Sequence, residues 1–338
     1  MGVRIGLMGF GRIGRNIFRI LHNRDDVEVV AISDIADHKG LEYLLRYDTI
    51  MGRFPEEVAV KDGNLYVCGK QIKMLSGREP GDVNWGELGV DVVVEATARY
   101  RSREEVSRHL EAGAKRVILC VPPLDEPDIT VVMGVNDEKL TAEHKIISNA
   151  SITAHCAAPI LQILDRAFGL ERVYFTTIHA YTNDQRLADV PAADLRRSRA
   201  ATENIIPTET NSGQVVMDLL PQLAGKVEGM ALKVPVPNGS LVDMVSYTTE
   251  PVTADAVNEV VRTAVASKYS DYVEYVTDPI VSSDVKHSPY SCTYDALATL
   301  TLGDRMVKTL SWYDNGWGYA HRVVDLAKRL GSIEGGVA

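Results

Sequence analysis

Over the first 150 positions, short apolar runs alternate with helically spaced apolar residues. Val3 to Met8 reads as a buried strand, residues 12–22 as a helix, and Val27 to Ser33 as a second strand, the order of a parallel βαβ unit. Between residues 57 and 75 this rhythm breaks. Asp62-Gly63 and Gly69-Lys70 are turn pairs between alternating apolar residues, which predicts an antiparallel meander inserted into the unit. Strand 90–95 then resumes the alternation, and a helix opens at Ser102, where Ser102-Arg-Glu-Glu105 has capping-box spacing. Strands follow at 116–121, 129–133 and 145–147.

From Ser151 the texture changes. A long helix over 152–168 precedes longer strands at 172–178, 230–234, 241–248, 294–302 and 306–313, the last two joined across Gly303-Asp304 as a hairpin. One further amphipathic helix, 254–267, interrupts them. A final helix from Gly318 carries Val323, Val324, Leu326 and Leu330 on one face, too apolar to stand alone. The expected architecture is an α/β domain followed by an α+β domain, with no repeat, low-complexity segment or tether between them.

Composition narrows the classes. A chain of 338 residues accommodates two domains, and 46 acidic against 36 basic side chains give a net charge of −10, which disfavours nucleic-acid binding by bulk charge. No apolar stretch approaches 18 residues, so neither a secretory signal nor a membrane span is expected. The four cysteines (Cys68, Cys120, Cys156, Cys292) lack CxxC spacing and Cys/His clustering, which fits a reducing cytoplasm and predicts neither disulfides nor a metal site.

Gly9-Phe-Gly11-Arg12-Ile13-Gly14 follows a predicted strand and opens a predicted helix. In a dinucleotide site the first glycine permits the tight turn, the second admits a pyrophosphate, and the third lets helix and strand pack closely. Asp34, at the end of the next strand, would accept hydrogen bonds from ribose hydroxyls and repel a 2′-phosphate, predicting NAD over NADP. Read only structurally, the glycines make an ordinary turn.

Further motifs run along nearly the whole chain: Gly9 to Arg15, Tyr47-Asp48 with Gly52-Arg53-Phe54, Trp85 to Asp91, Met133-Gly-Val-Asn136, Ser148-Asn-Ala-Ser151, His179 to Gln185, Asp194-Leu-Arg-Arg197, Ser311 to Asn315 and His321 to Asp325. In this order and spacing they resemble the phosphorylating glyceraldehyde-3-phosphate dehydrogenases. The resemblance implies an NAD-binding Rossmann domain over 1–150, with a C-terminal helix (318–333) returning to it. It also implies a catalytic, substrate-binding and oligomerisation domain over 151–317, and usually a homotetramer.

In that family a cysteine directly after the Ser-Asn-Ala-Ser run attacks the aldehyde, and the resulting thioester is cleaved by phosphate. Here that position is Ile152, whose side chain forms no covalent intermediate. His179, which in the family activates the thiol, is retained. Cys156 matches a second, non-catalytic cysteine and reads as packing. Cys120, at the end of a Rossmann strand beside the expected nicotinamide, is the one candidate for a displaced nucleophile. Cys68 and Cys292 fall in predicted strands and read as packing residues.

The resemblance places Ser151, Thr153, Thr182, Asp184, Arg197 and Thr210 at positions that hold phosphates. Other positions depart from it: Lys233 replaces an arginine, keeping the charge but losing the bidentate fork, Asn211 replaces a glycine, Gln214 replaces a lysine, and Glu209 adds negative charge. Arg196, Arg197, Arg199 and Lys233 form a basic group, read either as an anion site or as intersubunit salt bridges. Around the cofactor, Met8, Ala98, Gly316 and Trp317 differ from the family pattern. Arg78 and Tyr100 match the adenine side, and Asn315 and Tyr319 match positions flanking the nicotinamide carboxamide. His155, where the family has asparagine, reads as a core histidine, with a new catalytic base as the alternative.

Three functions fit this pattern. The first is an NAD-dependent oxidoreductase working on a small anionic, phosphorylated aldehyde or polyol without a thioester, with His179 as general base. The second is a catalytically impaired NAD-binding paralogue with a scaffold or regulatory role, in mixed tetramers with active paralogues. The third is the family reaction carried by Cys120.

Overall fold

The computed structural model describes residues 2–334, which divide into two compact units: residues 2–150 with 320–334, and residues 151–319. In the first, β1 (Val3–Met8), α1 (Arg12–Leu21) and β2 (Val27–Ser33) form the opening βαβ unit. Next come α2 (His38–Arg46), the two-residue strands β3 (Tyr47–Asp48) and β4 (Gly52–Arg53), and the meander β5 (Val58–Lys61), β6 (Asn64–Val67) and β7 (Lys70–Leu75). The half closes with β8 (Val92–Glu95), α3 (Arg103–Glu111), β9 (Arg116–Leu119), β10 (Ile129–Thr130) and β11 (Ile146–Ser148).

Nine of these strands form one sheet in the order β10-β11-β9-β8-β1-β2-β7-β6-β5. It is parallel from β10 to β7 and antiparallel across the meander. The central strands are buried along both faces, as a parallel sheet covered by helices requires, and Met8, Trp85, Val93, Val106 and Leu119 meet in the core. The capping box at α3 is complete: the Ser102 hydroxyl accepts from the Glu105 N–H, and the Glu105 carboxylate accepts from the Ser102 N–H.

The second meander turn differs from the sequence expectation. Lys70 pairs with Val67 inside the ladder, and the two-residue turn is Cys68-Gly69, with φ of 50° and 77°. Two consecutive positive φ values are what a tight hairpin needs to match strand twist, and Asp62-Gly63 (48° and 72°) meets the same need. Cys68 is therefore an exposed turn residue and not a strand packing residue.

The second unit starts with α4 (Ile152–Phe168), buried without a break from Thr153 to Leu164, mostly apolar but including Thr153, His155 and Gln162. Then follow β12 (Leu170–Ala180), β13 (Ile206–Thr208), α5 (Ser212–Leu219), β14 (Val227–Val234), β15 (Ser240–Thr248), α6 (Ala254–Val265), β16 (Val273–Val276), β17 (Cys292–Leu302) and β18 (Met306–Tyr313). Their sheet runs β13-β14-β12-β15-β18-β17-β16, with β12 parallel to β14 and antiparallel to β15. The hairpin across Gly303-Asp304 is present.

The helices α2 and α5 were not expected from the pattern. They run only nine and eight residues, shorter than the window of roughly 11–18 residues over which helical periodicity is read. The last helix, α7 (Trp317–Glu334), begins in the second unit, and from Ala320 onward it belongs to the first. There Lys328 pairs with Asp26 at 3.2 Å, and Gly331 packs so tightly on Val3 that a Cβ would lie 2.2 Å from its side chain.

Candidate functional site

In the first unit the glycine-rich turn joins β1 to α1. Gly9 has a φ of 96°, and a Cβ there would fall 2.9 Å from the backbone of Ala96 and Thr97. At Gly14 a Cβ would come within 2.3 Å of the Gly9 carbonyl, whereas at Gly11 it would meet nothing within 4 Å. Packing therefore demands glycine at the outer two positions. The bare surface at Gly11 serves something other than the protein's own packing.

Arg12 and Ile13 open α1, whose first turn has no acidic residue and whose N-cap, Gly11, provides no side-chain hydrogen bond. A helix N-terminus of this kind presents N–H donors and a positive dipole end to an anion. Asp34, just past β2, accepts from the Phe10 N–H at 2.7 Å on one carboxylate oxygen and from the Ala36 N–H at 2.9 Å on the other. This fixes the carboxylate beside the turn, with lone pairs left for hydroxyl groups. Bare Gly11, the uncapped helix end and the fixed carboxylate together fit a dinucleotide.

The turn after β8 is braced from below. Buried Glu95 accepts from the Thr97 N–H at 2.9 Å and from the Thr97 hydroxyl, and His109 Nε2 lies 3.2 Å from its other oxygen. Ala98 takes a φ of 60°, a conformation that glycine adopts without strain. Tyr100 donates to the Arg78 carbonyl at 2.6 Å, holding the Arg78 segment, whose guanidinium is on an exposed residue. Cys120 follows β9. Burial, with the Glu95 carboxylate adding to it, pushes its thiol far up, so it stays protonated near neutral pH.

The second unit gathers the remaining candidates into linked groups. Parallel pairing of β12 with β14 sets His179 against Lys233, and Lys233 Nζ lies 3.1 Å from His179 Nδ1 and 3.5 Å from the Thr182 hydroxyl. His179 Nδ1 is also 2.6 Å from the Ala180 carbonyl oxygen. Thr182 donates to Asp184, and Asp184 forms an ion pair with Arg197. Burial above all, then the charge of Lys233, lowers the His179 pKa to about 4. Burial first, with Arg197 in support and Asp184 in opposition, lowers that of Lys233 to about 8.

A second group joins two helix starts. Ser151 caps α4 through the Ala154 N–H at 3.0 Å, and its hydroxyl lies 3.1 Å from that of Ser212, to which Thr210 donates at 2.9 Å. Asn211 is the N-cap of α5 and makes no side-chain cap bond. Arg197 and Thr210 also line one open depression of about 780 Å³, shared with Glu209 and Glu228. A third group is buried: the Tyr313 hydroxyl contacts those of Thr153 at 3.3 Å and Thr177 at 2.9 Å. Asn315 accepts from Ser240, whose oxygen accepts from the Ala180 N–H, tying Asn315 to the end of β12.

Ile152 is the first residue of α4, half-buried directly after its cap. Tyr319 packs edge-on against buried His155, ring centroids 5.7 Å apart. Arg199 is taken by Asp189 at 2.9 Å and does not join the group around His179. Sequence reasoning missed Ser212 and Thr177, whose only signal is a hydroxyl among many. It also missed the role of Tyr313, although that residue lies within the Ser311 to Asn315 motif.

A parallel sheet with a diphosphate-type turn, in one chain with a mixed-sheet unit bearing a histidine, a lysine and two clusters of hydroxyls, is the arrangement of an NAD-binding oxidoreductase. Residues 3–103 match the family described as glyceraldehyde 3-phosphate dehydrogenase, NAD binding domain, and residues 151–315 match its C-terminal domain. The chain belongs to the glyceraldehyde-3-phosphate dehydrogenase family. It is 48% identical to a glyceraldehyde-3-phosphate dehydrogenase of Geobacillus stearothermophilus over 98% of this chain and 99% of that one. It is 47% identical to glyceraldehyde-3-phosphate dehydrogenase 2 of Streptomyces avermitilis, again over 98% and 99%. With glyceraldehyde-3-phosphate dehydrogenase 1 of Bacillus subtilis it shares 47% identity over 97% and 98%. The cofactor is NAD. No helix among the described residues is long and apolar enough to cross a membrane.

Proposed function

We propose that the protein oxidises or reduces a small anionic, phosphorylated aldehyde or polyol with NAD and without a cysteine thioester. The carrying observation is the state of His179. The Ala180 carbonyl, 2.6 Å from Nδ1, is an acceptor only, so Nδ1 bears the hydrogen and Nε2 keeps its lone pair. With its pKa lowered to about 4 the ring is neutral at pH 7 and presents Nε2 as an acceptor, a weak base whose strength an anionic substrate placed beside it would raise. Ile152, where a family nucleophile would stand, offers no bond-forming atom.

In this reading Gly9, Gly11, Arg12, Ile13 and Gly14 would receive the cofactor diphosphate, Asp34 the adenosine ribose and Arg78 the adenine side, and the family resemblance assigns Cys120, Asn315 and Tyr319 to the nicotinamide. Bound NAD supplies the hydride acceptor. His179 Nε2 takes the hydroxyl proton of an alcohol or hydrated aldehyde as the C–H bond gives up its hydride, leaving a carbonyl or a carboxylic acid. Ser151, Thr153, Thr182, Thr210, Asn211, Arg197 and Lys233 hold the anion, and Asp184 orients Arg197 and Thr182. Cys120 is not assigned the nucleophile's role because its thiol stays protonated. The family resemblance supports a cytoplasmic homotetramer.

The test is an NADH-production screen over phosphorylated aldehydes and polyols, with His179→Ala as control. Activity that disappears in the control supports the oxidoreductase. A blank screen with NAD binding intact replaces it with the scaffold reading, which the missing nucleophile at Ile152 favours.

A further inference from the structure

We propose that Lys233 is also an amine nucleophile, its Nζ capturing the anionic aldehyde as a reversible imine while Arg197 and the hydroxyls alone hold the anion. The inference rests on the reading that such an aldehyde enters this site, and adds a covalent chemistry that the oxidoreductase reading does not contain.

The geometry around Nζ carries it. Lys233 is half-buried on β14, in register with His179 on β12 and with Ile206 on β13, so one neighbouring strand brings an imidazole and the other an apolar side chain. The Ala180 carbonyl oxygen, 2.6 Å away, holds the hydrogen on His179 Nδ1, and Nζ lies 3.1 Å from the same nitrogen. With that hydrogen already held, the ring edge gives the Lys233 ammonium no acceptor, which favours loss of its proton. Thr182 lies 3.5 Å from Nζ and gives a hydroxyl without a charge.

The charged groups beyond agree with this arrangement. Asp184 would stabilise an ammonium, but its carboxylate is shared with Arg197 and Thr182, and the Arg197 charge works against a second cation. With its pKa lowered to about 8, Lys233 is a free amine in about one molecule in ten at pH 7, some 300-fold more often than an ordinary lysine. An arginine in this place has no such form.

The step balances without an added reactant. The Nζ lone pair forms a bond to the carbonyl carbon, the C=O π pair moves to oxygen, and a proton passes from nitrogen to that oxygen, giving a carbinolamine. Loss of water leaves the imine. On protonation the imine acidifies the hydrogen of the adjacent carbon, which opens the site to α-proton exchange, a reaction class separate from hydride transfer.

The experiment is reductive trapping of the NAD-loaded protein with glyceraldehyde 3-phosphate and cyanoborohydride, followed by peptide mass mapping, with Lys233→Arg as comparison. The expected result is one adduct per chain on Lys233, absent in Lys233→Arg, with a trapping rate that rises through about pH 8, whereas surface lysines respond near 10.4. No adduct on Lys233, or labelling spread over surface lysines with the same pH profile, overturns the proposal. NADH production without the adduct removes only the imine, and the adduct without NADH production removes only the oxidoreductase.

Discussion

The indole N–H of Trp85 donates to His109 Nδ1 at 3.0 Å. Indole nitrogen is a donor only, so Nδ1 is bare, Nε2 carries the hydrogen, and that hydrogen points to Glu95 at 3.2 Å. A neutral imidazole thus satisfies a buried carboxylate that also holds Thr97, against which Gly9 packs. Replacing His109 with Ala strands Glu95 beside a cavity and is expected to cost about 2–4 kcal/mol in urea unfolding. His109→Gln, which restores an N–H donor, should recover part of that, and an unchanged midpoint for His109→Ala would show that the network contributes nothing.

The three glycines of the turn should separate by role. Gly14→Ala forces a Cβ to 2.3 Å from a carbonyl oxygen and is expected to unfold the unit or destabilise it by several kcal/mol, on the order of other overpacked sites. Gly11→Ala meets nothing and should leave the melting temperature of the free protein within a degree or two while abolishing the upward shift that NAD produces. Thermal melts with and without NAD decide between these outcomes.

The thiols make a reactivity ladder. Cys156 is buried and its thiol pushed far up by burial and by neighbouring Cys292, Cys120 is buried likewise, and exposed Cys68 is held up by its hydrogen bond to Glu56. Iodoacetamide at neutral pH should therefore label Cys68 slowly and the other three only after unfolding. Ile152→Cys places a thiol in the first turn of α4, where the helix dipole favours a thiolate, and should add a fast-labelling site. If the engineered thiol labels no faster than Cys68, the helix end does not activate it.

Acid should weaken the fold through two histidines. His179 and His321 each have a pKa lowered to about 4, mainly by burial, with Lys233 adding at the first and Arg322 at the second. An unfolded chain takes up these protons below about pH 6.5 while the folded chain refuses them until about 4, so stability is full above 6.5 and falls as pH drops through that window. His321→Gln should flatten the drop in melting temperature between pH 6.5 and 4, and an unaltered slope would count against the shift.

Much of this was legible in the chain. The glycine-rich turn, the capping box at Ser102, the buried helix from Ile152 and the hairpin at Gly303 follow from local periodicity, capping chemistry and backbone sterics, which act within a few residues. The second meander turn was misplaced by one residue, because choosing between Gly69-Lys70 and Cys68-Gly69 depends on ladder register. The site was legible as a set of residues matching a family, and as the absence of a thiol at Ile152.

Tertiary structure decided which of those residues work together. Lys233 faces His179 because β14 pairs with β12 in parallel across 54 positions of sequence, and Ser151 reaches Ser212 across 61. Sheet register and burial set those distances, and with them the depressed pKa values of the histidine and the lysine. A sequence carries residue types and spacings, whereas desolvation and Coulomb interactions depend on neighbours that only the folded chain supplies.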